Sequence, residues 1–141
     1  MLDIFAQYAT DETLENNGTW FEIGSGSSIL VARAGNRAYS KFLSKEVERN
    51  RKVLDLNDDA SDAKSDEIMI DVMAETILLG WKTKVGDEEK AVVNFKKAEL
   101  PYSKENAKKL LVLKDFRKLV AEKAGDTDSF RLKLEEEQGE A

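Results

Sequence analysis

A chain of 141 residues with 41% hydrophobic content has enough apolar side chains for one domain core without covalent staples. Cysteine and histidine are both absent, which excludes disulfides and thiolate chemistry and removes the usual proton shuttle near neutral pH and the commonest metal ligand. The net charge of −6 argues against nucleic acid or an anionic membrane as the main partner, and 35% charged residues point to well-solvated helices.

No apolar run approaches the roughly 20 residues that span a bilayer. Met1-Leu2-Asp3-Ile4-Phe5 carries a charge where a secretory segment would be apolar. A soluble, cytoplasmic protein is expected. Residues 1–18 show little periodicity and read as a polar, loosely held lead-in. Thr19-Trp20-Phe21-Glu22-Ile23 and Ser28-Ile29-Leu30-Val31-Ala32 read as two strands, joined by a turn at Gly24-Ser25-Gly26-Ser27. The glycines are not a phosphate loop, because no Gly-Lys-Ser/Thr follows.

Asn36 to Leu56 is the longest helical candidate, with Tyr39, Phe42, Leu43, Val47, Val53 and Leu54 at helical spacing. Arg37, Lys41, Lys45 and Arg49 recur every fourth residue on the other side. Such a stripe is either a solvated outer face or a basic surface for an acidic partner. Asp55, Asn57, Asp59, Ser61, Ala63 and Asp66 fall on the ligand positions of an EF-hand loop. Ala60 stands where the turn glycine belongs, and Asp66 is too short for the usual bidentate glutamate. We therefore expect an acidic linker and no metal site.

The next helix is expected over Asp66–Leu79. Ile70, Met73, Ala74, Ile77 and Leu78 form one apolar stripe, while Ile68, Val72 and Leu79 fall about 180° away. A helix apolar on two sides is either covered twice within the chain or offers one side to a partner, and Ile68, Val72 and Leu79 are the candidate partner-binding residues. Trp81–Val85 and Ala91–Phe95 then read as a hairpin, with Trp81 packed beneath it as core. Ser103 is placed to cap a helix over Lys104–Val112, with Ala107, Leu110 and Leu111 inward. Asp115–Ala124 follows, stopped by Gly125. A last helix is expected to carry Phe130, Leu132 and Leu134, and residues 135–141 read as an acidic tail.

The chemistry of catalysis is missing. There is no nucleophile–base pair built on cysteine or histidine, and Glu88/Glu89 and Asp58/Asp59 are adjacent in exposed loops where nothing raises a carboxylate pKa. No catalytic residue, cofactor or metal is expected. Aromatic–basic interleaving is limited to Phe95-Lys96-Lys97 and Phe116-Arg117-Lys118, too thin for a nucleic-acid surface.

The helix ending Ile77-Leu78-Leu79-Gly80-Trp81, a charged hairpin, and Pro101-Tyr102-Ser103-Lys104-Glu105-Asn106-Ala107 follow one another in a recognisable order. The Leu110-Leu111 and Asp115-Phe116-Arg117 helices continue it, and Asn36-Arg37-Ala38-Tyr39 opens the long charged helix before it. Over most of residues 19–130 this order resembles the tail assembly chaperones of long-tailed bacteriophages and prophages. The resemblance implies a non-enzymatic protein of the host cytoplasm, not expected in the finished virion. It implies binding to the tape measure protein, which is kept soluble while tail tube protein polymerises around it. A frameshift-extended form of the chain and homo-oligomers are further implied partners.

The expected fold is α+β and mainly helical, with about five helices and one or two short β-hairpins. Residues 1–18 would be lead-in, 19–134 a single domain and 135–141 a tail. The alternative function is a non-enzymatic adaptor that meets an acidic partner through Arg37, Lys41, Lys45 and Arg49. High salt would release such an adaptor but not an apolar client.

Overall fold

The structure is a computed structural model and describes residues 1–133. Strands β1 (Thr19–Gly24) and β2 (Ser27–Val31) form the expected hairpin. Ser25 and Gly26 both take positive φ (53° and 78°), the backbone of a tight two-residue hairpin turn. Alternation puts Phe21, Ile29 and Val31 inside and leaves Trp20 and Glu22 outside. β2 is a central strand, because β3 (Leu78–Val85) pairs antiparallel to its other side. β4 (Glu88–Lys90) closes a four-stranded antiparallel sheet in the order β1-β2-β3-β4. A separate two-stranded sheet pairs β5 (Val92–Phe95) with β6 (Ala98–Pro101).

Helices cover one face of this framework. Asn36 opens α3 (Arg37–Arg49) by accepting a hydrogen bond from the Tyr39 N–H at 2.9 Å. The helix breaks at Asn50 and resumes as the single turn α4 (Arg51–Leu54). Asp58 caps α5 (Asp59–Thr76), which packs against both α3 and α6 (Lys104–Leu111). Ser103 caps α6 through the Asn106 N–H at 3.0 Å, and α7 (Lys114–Ala124) stops at Gly125. Phe130 ends a 3-10 turn at Thr127–Phe130, fully buried against Phe21.

The expectation of a mainly helical fold with about five helices and one or two hairpins is corrected. The described residues hold seven α-helices and six strands in two antiparallel sheets. Three physical causes account for the difference. First, α5 starts seven residues earlier than the Asp66 start expected, because Asp58 rather than Ser65 supplies the cap. It also ends sooner, because Leu78 is drawn into β3 beside Val31. Second, the partner of β3 is the charged stretch Glu88–Lys90 and not Ala91–Phe95. Lys82 pairs with Glu89 across it at 3.1 Å. Third, β5 turns back through Lys96 and Lys97, both at positive φ (52° and 67°). Glycine or asparagine normally marks such a turn, so two lysines hid it.

Residues 1–18, read as a loose lead-in, carry α1 (Ile4–Tyr8) and α2 (Glu12–Asn17). Asp3 and Asp11 cap them through their side chains. The segment is tied to the other end of the chain by Asp11 N–H to Phe130 C=O (2.8 Å) and Leu132 N–H to Ala9 C=O (2.9 Å). Leu134 and the 135–141 tail lie outside the described residues.

Trp81 joins the two sheets. It is 1% exposed, its indole N–H donates to the Leu100 carbonyl at 3.0 Å, and it meets Tyr102 edge-on at 5.0 Å. Trp81→Ala should cost about 3–5 kcal/mol, read as a lower midpoint in denaturant unfolding. Trp81→Phe, which keeps most of the volume, should cost clearly less. An unchanged midpoint for the alanine variant would show that the hairpin is held by other contacts.

Candidate functional site

An apolar groove of about 560 Å³ lies between the open end of the four-stranded sheet, the β5–β6 hairpin and the α6–α7 corner. Ile23 and Ile29 come from the sheet, Val93 and Phe95 from the hairpin, and Phe116 from α7, with Trp81 among them. Val85 and Leu113 stand on its rim at 48% and 49% exposure. Glu99 is the one charged side chain in its lining.

Two hydroxyls of the groove are already engaged. Thr83 donates to the Val92 carbonyl at 2.6 Å, and Ser27 and Thr83 share a hydrogen bond of 2.8 Å. The lining is thus mainly apolar, with a single carboxylate. Sequence reasoning missed the groove because the hairpin over it pairs β5 with β6, whose Ala98-Glu99-Leu100-Pro101 shows no strand alternation.

The second feature is the outer face of α3. Arg37, Lys41, Lys45 and Arg49 are all exposed, as their spacing predicted. Only Arg49 is engaged among the described residues, by Glu46 at 3.0 Å.

The opposite stripe of α5 is corrected. Ile68 and Val72 are 4% and 0% exposed, covered by the chain itself. Leu79 has left the helix and sits half-buried in β3. The reason is α3, which packs along α5 and takes the side that the sequence left unassigned. Asp71 and Glu75, between which the stripe was placed, pair with Lys108 (3.4 Å) and Lys104 (2.6 Å) of α6. A single buried amide fixes the junction: the Asn36 side chain caps α3 and donates to the carbonyls of Arg33 (2.8 Å) and Thr76 (3.2 Å). The acidic stretch 55–66 is mostly helix, with Asp58 engaged as a cap and Ser61 donating to the Leu54 carbonyl at 2.9 Å. Among the described residues no cluster of three or more His, Cys, Asp or Glu side chains could hold a metal ion.

Tyr102 is half-buried and donates from its hydroxyl to the Leu78 carbonyl at 2.9 Å. Burial, and secondarily the charge of Glu75, raise its phenol above the ordinary value of 10.0. The folded state thus keeps this proton longer than the unfolded chain. The stability it contributes is intact below pH 10.0 and is lost as pH rises through the folded value. Unfolding free energy should fall above that pH, and less steeply in Tyr102→Phe; equal slopes would remove Tyr102 from the alkaline transition.

The two surfaces also predict opposite tolerances. Val72→Asp should unfold the chain, because a carboxylate at a fully buried site costs several kcal/mol. Lys41→Glu with Lys45→Glu should change stability by about 1 kcal/mol or less. Circular dichroism melting checks both, and a folded Val72→Asp protein would contradict the packing of α3 on α5.

A family model described as YdaY prophage protein matches residues 34–141. Neither the comparison with curated proteins nor that with solved structures gives a match. The matched region runs from just before α3 through α7 and beyond, so it takes in the basic face, β3–β6 and α6–α7. The chain belongs to the YdaY prophage protein family.

Proposed function

We propose that this prophage protein is a non-enzymatic tail assembly chaperone, which holds an apolar helix of a tape measure protein in the groove beneath the β5–β6 hairpin. The observation that carries the reading is the groove itself: an open apolar trough of about 560 Å³ on a chain with net charge −6. A holding protein needs apolar contact surface on a body that stays soluble while that surface is open. The groove suits one face of an amphipathic helix, which presents its apolar side chains at three- and four-residue spacing. Membership of a prophage family and the order of motifs from Asn36 to Phe130 support the same reading.

On this reading the protein acts in the host cytoplasm and hands the client to tail tube protein. A frameshift-extended form and further copies of the chain are its other partners. The adaptor reading rests on the exposed α3 face alone, and no apolar client enters it.

Leu113 offers a clean test. It is the N-cap residue of α7 but makes no side-chain cap. Aspartate there is a good cap, worth about 0.5–2 kcal/mol over a non-capping residue. Leu113→Asp should therefore hold or raise the melting temperature, while removing apolar surface from the groove rim and adding a charge. Co-expressed with an amphipathic tape measure segment, the variant should lose most of the soluble client that the wild type recovers. Undiminished soluble client at an unchanged melting temperature would refute capture in the groove.

A further inference from the structure

We propose that the basic face of α3 is a docking site for an acidic segment, and that its occupant is this chain's own residues 134–141. From Arg37 to Leu54 the sequence carries six basic and two acidic side chains, on a protein whose net charge is −6. Both acids are used locally: Glu46 pairs with Arg49 at 3.0 Å and Glu48 with Arg51 at 2.6 Å. Arg37, Lys41 and Lys45 are exposed and enter no ion pair among the described residues. Residues 134–141 read Leu-Glu-Glu-Glu-Gln-Gly-Glu-Ala, with four glutamates and no basic side chain. The charges of face and segment are complementary.

The position of the preceding residues makes the contact reachable. Arg131 bridges to Thr10, and the Leu132 N–H donates to the Ala9 carbonyl at 2.9 Å. Thr10 lines one surface cleft together with Asn36 and Arg37. Arg131 is thus held at Thr10, on the cleft that reaches the N-terminus of α3. An extended stretch of eight residues covers about 26 Å, and Arg37 to Arg49 spans about 18 Å of helix. Glu12 and Glu15 line the same cleft, but Glu15 is held by Arg33 at 3.1 Å. The first turn of α3 contains no acidic residue, so a glutamate arriving there meets both Arg37 and the positive end of the helix dipole. The docked segment covers a strongly basic surface of an acidic protein, and any external acidic partner must displace it.

Zero-length carbodiimide cross-linking of the full-length protein tests this, at low ionic strength and low protein concentration, with the linked peptides mapped by mass spectrometry. Lys41 and Lys45 should join Glu135, Glu136, Glu137 or Glu140 within the monomer band. The links should disappear in 1 M salt, where screening acts within about 3 Å. Arg37→Glu with Arg49→Glu keeps both reacting amines and should abolish the same links. If that variant loses its fold, Glu136→Gln with Glu137→Gln leaves α3 untouched and should reduce linking through Glu135 and Glu140. The proposal is overturned by absent links, by equal linking to the exposed Lys96 and Lys97, or by links that survive the charge reversals. It is also overturned by links confined to a dimer band, which would assign the segment to another copy.

Discussion

The reciprocal clasp of Trp81 and Tyr102, each hydrogen-bonded to a backbone carbonyl beside the other, is the contact on which the architecture turns. Trp81 belongs to the four-stranded sheet and donates to the backbone of β6. Tyr102 follows β6 and donates to the backbone of β3 at Leu78. Each ring thus satisfies its polar end on the other's strand, and the rings pack edge to face. A two-stranded hairpin such as β5–β6 is marginal in isolation. Clamped by these rings, and by Thr83 bonding to the Val92 carbonyl, it becomes the fixed roof of a groove. The same rings lead into Ser103, so the clamp also sets where α6 begins.

Opposite that clamp, α5 works as a buried spine. Its inward residues face the sheet, its far side is covered by α3, and its flank is bound electrostatically to α6. Asn36 couples the start of α3 to the end of α5 through a buried amide with all its groups engaged. Buried polar groups of this kind are costly unless satisfied, and here they fix the one arrangement in which Ile68 and Val72 are both covered. The groove and the outer face of α3 accordingly stay open, while Ile68 and Val72 on the second stripe of α5 are closed off.

Much of this was legible in the residues. The β1–β2 hairpin announced itself through alternation and a Gly-Ser turn, Ser103 as a cap, and Trp81 through its phase with Ile70 and Ile77. The inward set of α6 followed from its spacing. What escaped was decided by tertiary contact. Glu88-Glu89-Lys90 has no strand propensity and pairs because Gly86, at φ 64°, turns the chain back on β3. Lys96-Lys97 gives no turn signal, yet Val93 opposite Leu100 makes the hairpin. Periodicity showed that α5 was apolar on two sides but not what covered the second. That depended on α3, twenty or more residues away. The groove was illegible for the same reason: β6 was unrecognised, and the Ala91–Phe95 strand was paired with β3 instead of β6.

The central claim is that an apolar helical client sits beneath the β5–β6 hairpin. Amide hydrogen exchange of the full-length protein, with and without a bound amphipathic tape measure segment, tests it most directly. The account predicts that binding slows exchange in Val92–Pro101 and in Leu110–Phe116 while α3 is unchanged. Slowed exchange confined to Arg37–Arg49, or none around the groove despite a stable complex, would contradict it and move the client to the basic face.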